Sequence, residues 1–240
     1  MNNDIISKFI DGCSELGLTL SKEQLDQFIS YYHMLIEKNK VMNLTAITDF
    51  EEVIEKHFLD SLLIVKAADL TKAGKMIDVG TGAGFPGIPL KIVFPDLSVT
   101  LADSLNKRIL FLEECIRELN LKKIDAVHGR AEDLGKNPAY REKYDLAVSR
   151  AVANLSSLSE YCLPFVKKGG SFIAYKAAEI NDEYQMAKKA IHILGGESSG
   201  PSVLPLPQTE LQRSFVVIKK VKETPGKYPR KAGLPSKEPL

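Results

Sequence analysis

No apolar run in the 240 residues approaches the roughly 20 that a membrane span needs, and the N-terminus lacks the basic-then-apolar pattern of a secretory signal. A cytoplasmic chain with no membrane partner is expected. Cysteine is scarce: Cys13, Cys115 and Cys162 are scattered, without the paired spacing of a zinc site or a redox motif, so apolar packing is the expected role of each. The four histidines, at 33, 57, 128 and 192, share no ligand spacing, so no metal site is expected. Net charge is only +1, and neither an internal repeat nor a low-complexity tract interrupts the chain. With 44% hydrophobic residues it can bury one good core and carry a small appended module.

Glycine, by contrast, is concentrated in one place. The run Met76-Ile77-Asp78-Val79-Gly80-Thr81-Gly82-Ala83-Gly84-Phe85-Pro86-Gly87 takes an apolar segment straight into glycines. Glycine adopts positive φ and lacks the Cβ that keeps a main chain away from a ligand, while N–H groups at a following helix start bind polar groups. A tight strand-to-helix turn with no ligand would also produce such a run. Two ligand readings compete. Gly82-x-Gly84-x-x-Gly87 matches the dinucleotide fingerprint, whose pyrophosphate sits on the helix N-terminus. Gly80-x-Gly82-x-Gly84, with Asp78 two residues ahead, suits S-adenosylmethionine instead. That molecule has no phosphate, its ammonium suits a nearby acid, and Phe85-Pro86 interrupts the helix start that a pyrophosphate would use. The methyl donor is therefore the favoured reading.

The order of segments after the loop fits an open α/β sheet. A helix to Phe94 leads to a β-prone run, Leu97 to Ala102, that ends in Asp103, about 20 residues past the glycines, where an acid can accept hydrogen bonds from both ribose hydroxyls. A strand-end carboxylate or helix cap is the plainer reading of Asp103 alone. Ile109, Leu110, Leu112, Ile116 and Leu119 mark an amphipathic helix, and a third strand, Ile124 to His128, gives way to Gly129-Arg130-Ala131-Glu132-Asp133. Ala131-Glu132 can line an adenine, or Glu132 and Asp133 can cap a helix. The fourth strand, Tyr144 to Arg150, ends on Ser149-Arg150. It carries neither the Asn/Asp-Pro-Pro-aromatic turn of enzymes that methylate exocyclic amines nor the cysteine nucleophile of pyrimidine C5 enzymes. Direct transfer to an atom that is already nucleophilic remains, and guanine N7 is such an atom.

The runs Asn43-Leu44-Thr45-Ala46-Ile47, His57-Phe58-Leu59-Asp60-Ser61, Asp78 to Gly87, Gly129-Arg130-Ala131-Glu132 and Ser149-Arg150-Ala151-Val152-Ala153 closely resemble the bacterial 16S rRNA guanine-N7 methyltransferases, the glucose-inhibited division protein B family. So does the tail Tyr228 to Leu240, a far rarer pattern than a glycine loop. The resemblance spans nearly the whole chain. It implies an α/β, class I Rossmann-like methyltransferase fold, with a central mostly parallel sheet, flanking helices and a small N-terminal helical region. S-adenosylmethionine is the implied donor and a guanine in the decoding-region loop of 16S rRNA, in the small ribosomal subunit, the acceptor. Carried over by position, it sets Gly80, Phe85, Ala131, Glu132 and Arg150 against the donor, with Asp103 and Ser104 at the ribose. Asp78, Gly82 and Gly84 complete the expected donor set. Arg150 and Lys176 are expected to orient the substrate. One departure is visible: many relatives have Lys-Gly after the fifth strand, whereas this chain has Lys176-Ala177.

Residues 1–70 are expected to form a helical region, 71–222 the donor-binding domain and 223–240 a basic tail, with boundaries good to ~2–4 residues. Leu25, Phe28, Ile29, Tyr32, Leu35 and Ile36 recur at helical spacing behind a capping-box pattern, Ser21-x-x-Gln24. His57 is expected to pack or hydrogen-bond rather than to catalyse. From Arg213 to Leu240 eight Lys/Arg stand against two Asp/Glu, a net of +6 that leaves −5 on the rest. Arg213, Arg230, Lys231 and Lys237 are therefore expected to grip RNA phosphates. Prolines at 225, 229, 235 and 239 argue for an extended segment along RNA or along the donor domain. A monomer is expected. A small-molecule methyltransferase, a nicotinamide-dependent oxidoreductase and a non-catalytic RNA-binding module remain as alternatives.

Overall fold

A computed structural model describes residues 3–150, 153–177 and 179–240. Ala151 and Val152 of the Ser149–Ala153 run lie outside the described residues. Two helices open the chain, α1 (Asn3–Glu15) and α2 (Lys22–Met42). The capping box forms as expected: Ser21 Oγ accepts the Gln24 N–H at 3.1 Å, and Gln24 Oε1 accepts the Ser21 N–H at 2.9 Å. From 50 to 66 the backbone stays helical but changes pitch, through α3 (Phe50–Val53), a π-helical stretch (Ile54–Leu59), α4 (Asp60–Leu62) and a 3-10 turn (Leu63–Lys66).

Strands and helices then alternate: β1 (Lys75–Val79), α5 (Gly87–Val93), β2 (Ser98–Asp103), α6 (Asn106–Glu118), β3 (Ile124–His128), α7 (Ala131–Leu134), β4 (Tyr144–Arg150), α8 (Leu155–Cys162), β5 (Val166–Ala177) and α9 (Asn181–Ile193). The short β6 (Gly196–Glu197), β7 (Pro201–Pro205), β8 (Gln212–Lys220) and a single turn, α10 (Leu234–Lys237), follow. The sheet order is β3-β2-β1-β4-β5-β8-β6, and β7 also pairs with β8. β1 to β5 run parallel, and β8 lies antiparallel against β5.

Alternation along the strands divides the core between the two faces. Met76, Val99, Leu101, Leu146, Val148 and Ile173 pack with α1, α2, α5 and α6. Their neighbours Ile77, Val79, Ala147 and Phe172 pack with α8 and α9. The helices of residues 1–70 thus bury Phe9, Phe28, Tyr31, Leu35 and Phe58 in the same cluster as one face of the sheet. Gln24 reinforces that contact, donating to the Ile92 carbonyl at 2.8 Å. All three cysteines are buried and unbridged, and burial pushes their thiols up, as packing residues require. Among the described residues no helix is long and apolar enough to cross a membrane, and no group of His, Cys, Asp and Glu could hold a metal ion.

Candidate functional site

After β1 the chain lays β2 and β3 on one side and β4 and β5 on the other, so the crevice beyond the carboxyl ends of β1 and β4 is where such a sheet takes a ligand. The glycine loop sits there. Gly80, Gly82 and Gly84 hold φ of 72°, 64° and 107°, conformations that side chains resist. Gly87 answers a different need: a Cβ on it would lie 2.3 Å from Leu101 Cδ2 and 2.9 Å from Asp78 Oδ2, so its absence lets α5 close on the sheet.

Asp78 holds this loop from inside. Fully buried, its Oδ2 accepts the Thr81 hydroxyl at 2.6 Å and the Gly87 N–H at 2.8 Å, while its Oδ1 has no partner among the protein atoms. Burial pushes the carboxyl up to about 6, against the hydrogen bonds from Thr81 and Gly87. Asp103 works from the next strand. Its Oδ2 accepts the Gly82 N–H at 2.9 Å and Arg108 Nη1 at 3.2 Å, and its Oδ1 accepts the Leu105 N–H at 2.9 Å.

Two cavities open on this edge. The first, of about 210 Å³, brings together Gly80, Asp103, Ser104, Ala131 and Glu132, five of the expected donor residues, from the ends of β1, β2 and β3. Tyr161 of α8 and two tail residues, Gly233 and Ser236, also line it. The second, of about 370 Å³, is lined by Arg150, Lys176 and Arg213 together with Lys56, His57, Asp60 and Tyr175.

Phe85 joins the second cavity to the glycine loop. The His57 ring stacks on Phe85 at 4.5 Å and 20°, and the Arg150 guanidinium stands 5.1 Å from the Phe85 ring centre. Tyr31, from α2, packs 5.3 Å from the same ring and donates to the Ala83 carbonyl at 2.6 Å. Beneath Arg150 lies Asp60, 3% exposed, whose Oδ2 accepts Arg150 Nη1 and whose Oδ1 accepts Arg213 Nε, each at 2.6 Å. Burial and the Arg150 charge push His57 down to about 4, so it is a neutral ring at physiological pH. Its Nε2 lies 2.8 Å from Thr45 Oγ1, which links the Asn43–Ile47 run to the site.

Besides Arg150, three more of the expected cations are already partnered. Lys176 Nζ donates to the Ala153 carbonyl at 2.7 Å and to Glu183 Oε1 at 2.6 Å. Arg213 is held by Asp60. Arg230 departs furthest from the expectation of a phosphate grip: its guanidinium binds both oxygens of Glu160, whose side chain is 0% exposed, because a carboxylate buried in α8 needs a matching cation. Lys231 and Lys237 are exposed. The tail also folds more than the extended reading allowed. It forms α10, with Pro235 in the first turn, where a missing N–H costs nothing.

A family model described as rRNA small subunit methyltransferase G, GidB, matches residues 24–211. A ribosomal RNA small subunit methyltransferase G from Lachnoclostridium phytofermentans is 55% identical over 98% of this chain and 97% of its own. One from Alkaliphilus metalliredigens is 53% identical over 96% of each chain. The chain belongs to the rRNA small subunit methyltransferase G family. A solved SAM-dependent methyltransferase from Aquifex aeolicus shares the fold, with a TM-score of 0.54 at 18% identity over 75% of this chain and 97% of that one.

The residues present fit S-adenosylmethionine on two observations. Gly82 leaves open space where a side chain would stand, and Asp78 keeps one buried oxygen without a protein partner beside a loop expected to meet an ammonium. Sequence reasoning missed Tyr31, Lys56, Asp60, Tyr161, Gly233 and Ser236. For Asp60 a signal was at hand, since it stands within the His57–Ser61 run. Tyr31 was hidden because it lies on a helical stripe that reads as core.

Proposed function

We propose that this chain transfers the methyl group of S-adenosylmethionine to N7 of a guanine in the decoding-region loop of 16S rRNA. The observation that carries the reading is the pair of cavities at one sheet edge, the first lined by Gly80 of the glycine loop and the second by Arg150, which stands over Phe85 of the same loop, in a chain of this family. The first cavity is the donor side. Gly80, Gly82 and Gly84 let the backbone approach the donor, Asp78 serves its ammonium, Asp103 and Ser104 its ribose, and Ala131 and Glu132 its adenine. Phe85 and Arg150 form the partition between donor and acceptor.

The second cavity takes the guanine. When bound, the donor supplies an electrophilic methyl on a sulfonium. Guanine N7 presents an unprotonated lone pair in the ring plane, so the protein need not remove a proton; it must align acceptor, methyl and sulfur. Arg150 and Lys176 are suited to hold the guanine O6 or a neighbouring phosphate, and Asp60 keeps Arg150 and Arg213 aimed at the cavity. His57 stays neutral and acts as a packing wall beside Phe85. Lys231 and Lys237 add phosphate contacts from the tail. Both cavities are built by a single chain, which favours a monomer acting in the cytoplasm, where ribosomal subunits are found.

The test is transfer of a labelled methyl group from S-adenosylmethionine to small ribosomal subunits from a strain deleted for this protein, with mass spectrometry of the nucleosides. Labelled 7-methylguanosine is the expected product. No label in the RNA from a protein that still binds the donor would overturn the acceptor assignment and favour a small-molecule substrate.

A further inference from the structure

The basic tail, whose composition points to RNA, is fastened to the donor side of the molecule. Arg141 holds its start, donating to the Thr224 carbonyl at 2.7 Å and to the Tyr228 carbonyl at 2.9 Å. The Arg230 N–H and guanidinium both reach Glu160, at 2.7 Å from the N–H to Oε1 and 2.7 Å from Nη2 to Oε2. Ser157 Oγ donates to the Pro235 carbonyl at 2.6 Å, and Arg230 Nη2 reaches the Glu238 carbonyl at 2.8 Å. Glu160 and Ser157 lie on α8, so the segment is pinned along one helix.

What that pinning positions is the rim of the first cavity. Gly233 takes the left-handed conformation, φ 81°, and donates its N–H to Glu132 Oε1 at 2.7 Å. Glu132 is only 5% exposed, and together with Ala131 and Asp103 it lines the cavity that Gly233 and Ser236 close from the other side. A buried carboxylate without that N–H would lose a charge-assisted hydrogen bond and the constraint that aims it.

We infer that Gly233–Ser236 form a wall of the donor pocket at its nucleoside end, that the Gly233 N–H orients the Glu132 carboxylate toward the adenine, and that the Arg230–Glu160 pair anchors this wall. The inference rests on reading the first cavity as the donor pocket. It makes the tail part of the donor site, with Lys231 and Lys237 the portion left for RNA.

The experiment compares the full chain with one ending at Ala232, which keeps Arg230, by calorimetric titration with S-adenosylmethionine and with adenosine, in the absence of RNA. Melting of the ligand-free proteins serves as the folding control. Both ligands should bind at least tenfold more weakly to the shortened chain, since the lost wall serves the nucleoside they share. Loss of phosphate contacts moves neither value, because no RNA is present. Unchanged affinity for both ligands in a shortened chain that melts cooperatively would overturn the inference. Should the shortened chain fail to fold, Gly233→Ala carries the test: it keeps every tail contact except those that depend on positive φ. Threefold or greater weakening supports the wall, and unchanged binding overturns it. If the full chain bound neither ligand, the donor-pocket reading itself would fall and take the inference with it, a result distinguishable from selective loss in the variants.

Discussion

Asp60 carries the sharpest expectation about stability and activity together. Its side chain is 5% exposed and serves two guanidinium groups, Arg150 at 14% and Arg213 at 24% exposure, both at 2.6 Å. At that depth the carboxylate is the counter-charge for two poorly solvated cations. Removing one member of such a cluster costs about 3–5 kcal/mol, mostly the penalty of stranding the remaining charge. For a chain of this size each kcal/mol moves the melting temperature by about 2–4 °C, so Asp60→Ala should melt ~6–20 °C lower. Urea denaturation followed by circular dichroism gives the free energy directly. Adding Arg213→Met to Asp60→Ala should recover part of the loss, because an apolar side chain of similar length removes one of the two stranded cations and leaves Arg150 as the other. Methyl transfer to RNA should fall further than donor affinity, since Asp60 lines the second cavity, proposed for the acceptor, and not the first. A loss below about 1 kcal/mol would place the cluster with exposed ion pairs and refute the reasoning.

Acid behaviour should expose two opposed groups. His57 has a folded pKa of about 4 against an unfolded value near 6.5, so its contribution is fully present above pH 6.5 and declines as pH falls toward 4, by about 3 kcal/mol. Asp78 runs the other way: with its folded pKa raised to about 6, ionisation costs stability as pH rises from 4 to 6, again by about 3 kcal/mol. The parent protein should therefore show a shallow stability profile in urea titrations across that window. Asp78→Asn should make it fall steeply on acidification and His57→Gln should make it rise; profiles parallel to the parent would contradict both assignments. Gly87→Ala places a Cβ 2.3 Å from Leu101 Cδ2 and should cost about 1–3 kcal/mol by thermal melting, with weaker donor binding because the Asp78 link to the loop is disturbed. Lys231→Ala and Lys237→Ala should each reduce the slope of log K against log salt for RNA binding by about 0.7–0.9, measured by fluorescence anisotropy, and leave donor affinity unchanged.

Much of the proposed donor side was legible in the chain itself because its determinants are local. Strand, glycines and helix follow one another within Met76–Val93, and the acids Asp103 and Glu132 stand at the ends of the strands that precede them. Backbone conformation and strand order settle such features, and both are written in short-range pattern. The capping box of α2 was read correctly for the same reason. The fates of the basic residues could not be read that way: charge count brings Arg213, Arg230, Lys231 and Lys237 together as one class, yet the fold pairs two of them with buried carboxylates.

Tertiary structure alone decided which residues meet. Asp60 and Arg213 are 153 positions apart, Glu132 and Gly233 are 101 apart, and Tyr31 and Ala83 are 52 apart. No periodicity connects such pairs. By itself the sequence determined a glycine loop in an α/β sheet, a donor chemistry and a family, because each depends on local conformation and residue type. Whether a charged side chain faces RNA, closes a pocket or neutralises a buried partner depends on the dielectric and the counter-charge around it, and those exist only once distant segments have packed.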